Sequence, residues 1–197
     1  MKHLVLPILL AVSAVCVTFA ENPVTRRDAA SLQAKLTRIT ENSAGPQKTP
    51  TQTPVTEAEL NSYLRYEMAD RMPAGVKDPW VSILGESRLS GTATVDLARV
   101  AQSRKSTGML DPFSYLTGTM PVAVNGMLHT KNGVGTFTLE SASISGVPVP
   151  AWMLQEIVNH YSKSETSPQG VALDKPFVLP SGIREIQLAR GQAIVVQ

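Results

Sequence analysis

Cysteine is nearly absent from this 197-residue chain: the single thiol, Cys16, lies inside an apolar run near the start. Met1-Lys2-His3 is a short basic opening, Leu4 to Val17 is apolar, and Thr18-Phe19-Ala20 is a small-x-small site before Glu21. This three-part pattern predicts a secretory signal peptide over residues 1–20, cut at about Ala20/Glu21. The run is shorter than the roughly 20 residues a helix needs to span a bilayer. An uncleaved N-terminal anchor is the competing reading. Val15 before Cys16 is too bulky for a lipoprotein acylation box. Once the leader is removed no thiol remains, which excludes disulfides, thiol nucleophiles and thiolate metal sites. The expected location is periplasmic or otherwise extracytoplasmic.

Other shortages narrow the function. Outside the leader only His129 and His160 remain, too few for a histidine-rich metal centre. No serine stands in a Gly-x-Ser-x-Gly elbow and no glycine loop ends in Lys-Ser/Thr, so neither an α/β-hydrolase nucleophile nor a phosphate cradle is present. Glu57 and Glu59 are accounted for by helix capping and Glu67 by solvation, not by acid–base work. The expectation is a protein that is not an enzyme and uses no cofactor. The net charge of +2 falls by one with the leader, which holds Lys2 and no acid. Such a balance shows no basic stripe and argues against nucleic acid as a partner.

What remains reads as one α+β domain behind an arm. Thr25 to Ile39 has Leu32, Leu36 and Ile39 at helical spacing. Glu41 to Pro54 holds three prolines and no large apolar residue, and reads as a linker. Residues 21–54 are thus an N-terminal helical arm and a Pro/Thr-rich linker, and 55–197 the folded domain. Thr56-Glu-Ala-Glu59 is a capping box, with Val55 and Leu60 placed as a hydrophobic staple, and opens a helix to about Arg71. Trp80–Leu84 is a short strand. Arg88 to Leu97 alternates, with Leu89, Gly91, Ala93, Val95 and Leu97 on one face and Arg88, Ser90, Thr92, Thr94 and Asp96 on the other. Val100 to Tyr115 reads as a loop. Asn132-Gly133 joins strands at Pro121–Thr130 and Val134–Ile144. Pro150 opens a second helix, and Ile183–Leu188 and Gln192–Val196 close the chain as a hairpin.

Two joints are distinctive: Ser145-Gly-Val-Pro-Val-Pro150 before a helix, and Phe177-Val-Leu-Pro-Ser-Gly-Ile183 before the last hairpin. With the capped helix and the Val81–Leu97 segment, their order resembles bacterial exported proteins related to the tubular lipid-binding (bactericidal/permeability-increasing-like) superfamily, in its small single-module form. The resemblance covers roughly residues 55–197. It implies a strongly twisted antiparallel sheet wrapped around the long helix Thr56–Arg71, with a second helix, Pro150–Ser162, near one end. It further implies a lipid or fatty acyl ligand between sheet and helix, lined by Leu89, Val95, Phe137, Leu139, Trp152, Met153, Ile157, Ile186 and Leu188. Arg88, Arg184 and Arg190 are the implied head-group ligands. Aromatics at 5% leave room for a flexible ligand among Val, Leu and Met. The same apolar positions also describe a plain filled core. The alternative function is an envelope protein-interaction module reaching its partner with residues 21–54. A transient contact with a membrane surface suits the lipid reading; the lipid, transport against sensing, and the oligomeric state are left open.

Overall fold

The computed structural model describes residues 24–45, 50–72, 75–96, 118–161, 172–173 and 175–197. The leader and the loop expected at Val100–Tyr115 lie outside them. The fold is α+β with antiparallel sheets, the class expected from the sequence. Helix α1 (Arg26–Ala44) starts at the N-cap Thr25, whose hydroxyl accepts from the Asp28 N–H at 3.1 Å. It buries Ala29, Leu32 and Ile39, while Leu36 turns to its exposed flank. α1 runs five residues past the last residue of the apolar stripe, Ile39, into what read as linker. Its last turn is held from outside, because the Gln197 amide bonds the Ile39 carbonyl at 2.8 Å and the Asn42 side chain at 3.3 Å.

The linker expectation fails again at strand β1 (Gln52–Thr56), which pairs antiparallel with the last strand, β9 (Gln192–Val196). Thr51 and Gln197 exchange both backbone hydrogen bonds, at 3.0 and 3.3 Å. By the alternation of an antiparallel ladder, Thr53 and Val55 then point at β9 and Pro54 points away. A proline costs no ladder bond at that outer edge, and its carbonyl accepts from Lys35 at 2.7 Å instead.

Helix α2 (Glu57–Tyr66) carries the expected capping box in full. It stops short of Arg71. The Glu67 and Met68 N–H groups both turn to the Tyr63 carbonyl, and a separate 3-10 turn follows at Ala69–Arg71. Val55 and Leu60 meet as a staple in a cluster with Leu32, Ile39, Val195, Tyr63 and Ile183. α1 is therefore part of a packed core and not a loose arm.

The larger sheet is a meander of β2 (Val76–Gly85), β3 (Arg88–Asp96), β4 (Thr119–Lys131) and β5 (Val134–Ile144), with β6 (Val147–Pro148) beside the end of β5. β7 (Phe177–Val178) pairs with the start of β5. The Asn132-Gly133 turn has φ of 52° and 81°, as a type I′ hairpin requires. The β2–β3 hairpin turns on Glu86-Ser87, with φ of 51° and 66°, directly after Gly85 at φ 87°. Helix α3 (Ala151–Tyr161) follows Pro150.

β8 (Glu185–Ala189) and β9 do not join this sheet; with β1 they form a second one, in the order β1-β9-β8. The single wrapped sheet of the sequence reading is thus two. The physical reason lies at Thr130, past the point where β3 turns away from β4. Its hydroxyl takes the place of a strand partner, accepting from the Ile186 N–H at 2.7 Å and donating to the Ile186 carbonyl at 3.0 Å. No helix among the described residues is long and apolar enough to cross a membrane.

Candidate functional site

Residues paired across a ladder share a face, and this sorts the expected groove residues. Leu89 lies opposite Ile83 and Gly126, Gly126 opposite Leu139, Phe137 opposite Leu128, and Val95 opposite Met120. Leu89, Val95, Phe137 and Leu139 therefore stand on one face of the large sheet, as the alternation predicted. A register shift between Asn125 and Gly126 leaves Glu140 as the extra residue, so Ala142 and Ile144 stay on that face and are buried.

The nine apolar residues do not line one groove. Val95 packs on Ile144 with Met120, Val122 and Val149, as ordinary core. The Phe137 ring covers Gly126, where any Cβ would collide with it. Leu139 and Trp152 line a cleft of about 390 Å³ between β5 and α3, closed by Thr138, Ala151, Gln155 and Leu173. Met153 is half-buried in α3, and the side chain of Ile157 lies outside the described residues. Ile186 and Leu188 line a different groove, of about 620 Å³, where β8 meets the end of β4. That groove is mixed in character, with Glu86, His129, Lys131 and Glu185 beside Leu128 and Val134.

The three arginines are apart as well. Arg88 pairs with Glu140 at 3.3 Å. The Arg184 guanidinium donates to the Gln197 carbonyl. Arg190 stands in the β8–β9 turn, whose backbone lies against Gly85. None of them lines the α3 cleft.

That cleft opens on an edge. β7 pairs with β5 at Val134 and Gly135, and β6 pairs at Ser143 and Ile144. On the side of β5 away from β4, the stretch between, residues 136–141, has no strand partner among the described residues, and Thr138 and Leu139 both line the cleft. Among the described residues the exposed large apolar side chains are Leu36, Leu84, Val134, Val147, Trp152, Phe177 and Val178. Of these, Trp152 lines the cleft, Val134, Phe177 and Val178 lie at the β5–β7 pairing, and Val147 at the β5–β6 pairing. Trp152 is 57% exposed.

Sequence reasoning missed the polar side chains that join the layers. Asn61, 1% exposed, fits its amide to the backbone of Val81, accepting from the N–H at 2.7 Å and donating to the C=O at 2.8 Å. Glu57 accepts from the Ile83 N–H at 2.7 Å, and Gly191 donates to the Ile83 carbonyl at 2.7 Å. The outer edge of β2 is thereby occupied by α2 and the last hairpin. Glu59 is likewise buried, not merely a solvated cap. Burial alone would raise its pKa. Hydrogen bonds from Lys35, Ser31 and the Thr56 N–H outweigh that and hold it below the ordinary carboxylate value. The i, i+4 spacing of Glu57 and Asn61 was the available signal, since it puts two polar groups on one side of a helix that also carries Leu60 and Leu64.

No group of three or more His, Asp or Glu among the described residues is arranged to hold a metal ion. Compared with known proteins, the chain matches no family model, no curated protein and no solved structure.

Proposed function

We propose that the protein is a non-enzymatic binding protein of the cell envelope, exported by its leader, that holds a lipid or acyl chain in the cleft between β5 and α3. The observation that carries this reading is the cleft itself, a space of about 390 Å³ lined by Leu139, Ala151 and Leu173, with the Trp152 ring 57% exposed in its wall. That size falls within the roughly 300–1,000 Å³ of small-molecule sites. An acyl chain entering it gains about 0.8 kcal/mol per buried CH₂. Leu139 and Trp152 are the contact residues; Arg88 sits nearby through Glu140, the residue after Leu139.

The test is native mass spectrometry of the full chain purified from an expression host, with solvent extraction of whatever is bound. A phospholipid or fatty acid at near one per chain, much depleted in Trp152→Ala, is the expected result. A clean apo mass, with no uptake from a total lipid extract, removes the lipid reading.

The outer edge of β5 at residues 136–141, open among the described residues, favours a second reading, an envelope partner that adds an extended segment as a strand. Under it the lipid assay is negative, and an added partner protects the outward-facing amides of Phe137 and Leu139 from hydrogen exchange.

A further inference from the structure

A second cleft, of about 340 Å³, lies at the far end of α2, between that helix and the start of β2. Leu64, Met72, Val76 and Trp80 give it an apolar wall, and Arg65 and Lys77 stand in its lining as exposed cations. Neither has an ion pair or hydrogen-bonded side-chain partner among the described residues. The one acid in the lining is Asp78, so the cleft carries a net positive charge. Two features single it out. Asn61 lines it and is buried, yet its amide spends only one N–H and its oxygen on Val81. The second N–H has no partner among the described residues, and a buried donor left unmet is costly. In addition, β2 shifts register between Lys77 and Trp80, with Asp78 at φ 47°. Bulges of this kind re-aim side chains beside sites.

We infer that this cleft binds a small organic carboxylate with a compact apolar or aromatic body. The body lies against Trp80 and Leu64. The carboxylate meets Arg65 and Lys77, with the spare Asn61 N–H as a further donor. An amine is disfavoured by the two cations, and a neutral ligand forgoes the charge-assisted hydrogen bonds. The site is separate from the α3 cleft, so it stands whether or not a lipid binds there.

The chain has two tryptophans, and Trp152→Phe leaves Trp80 as the sole indole reporter while disabling the α3 cleft's own signal. In that background phenylacetate is titrated against Trp80 emission, beside phenylacetamide and phenethylamine, which share its body but not its charge. The expected result is a saturable response to phenylacetate, at least about tenfold weaker for the amide and weaker still for the amine, and weakened by salt. Arg65→Gln with Lys77→Gln, both at exposed positions, lowers the phenylacetate affinity by about tenfold with unchanged circular dichroism and thermal midpoint. Equal affinity for phenylacetate and phenylacetamide overturns the inference. So does an unchanged affinity in the double variant, or no saturable response to phenylacetate up to about 10 mM.

Discussion

Replacing the Glu59 carboxylate by an amide removes the charge that pairs with Lys35 and leaves one acceptor oxygen where Lys35, Ser31 and the Thr56 N–H use two. Glu59→Gln is expected to lower stability by about 1–3 kcal/mol near neutral pH, read as a lower urea midpoint. The folded protein holds this carboxyl below its unfolded value of about 4.3. Its contribution is therefore present above that value and lost as pH falls through the folded one. The gap between native and Glu59→Gln stabilities should close below about pH 4; a gap that persists or widens in acid contradicts the assignment. Asn61 poses a sharper case, because both Val81 backbone groups depend on it. Asn61→Ala should cost about 3 kcal/mol, and Asn61→Asp, which keeps the acceptor but loses the donor, should not restore it. At this scale little was legible in advance. A side chain's partner far along the chain leaves no local trace, so Glu57 and Glu59 read as caps alone and Asn61 did not register.

Elements with a local code were legible. The capping box at Thr56–Glu59, the alternation of Arg88–Asp96 and the Asn-Gly turn each state their geometry within a few residues, and the structure follows them. α1 beyond Ile39 and β1 have no such code, because both are made by contact with β9 and Gln197. The groove residues divide the same way. Alternation placed Leu89, Val95, Phe137 and Leu139 on one face, but pattern alone does not say which part of a face is filled. Glycine decides one such case. Phe137 lies over Gly126 in β4, and a Cβ there would also come within 2.7 Å of the Thr138 carbonyl. Gly126→Ala should lower the thermal midpoint, at about 1–3 kcal/mol for overpacking, whereas Gly91→Ala, with open space around it, should change it little.

The whole molecule is closed by its last described residue. Gln197 is 2% exposed and bonds the Ile39, Ser181 and Thr51 carbonyls, while its own carbonyl receives Arg184. Gln197→Ala should cost about 2 kcal/mol. It should also strip hydrogen-exchange protection from the final turn of α1 while sparing the β3–β4 ladder; uniform loss across the molecule would show that Gln197 closes no particular region. This arrangement has a consequence for synthesis. β1 emerges from the ribosome early but has no partner until β9 follows, and the α1 cluster lacks Val195 until the same moment. The packing around α1 and β1 is therefore completed only after β9 has been made. Under the export proposed above, such late closure would keep the chain threadable until β9 has been made.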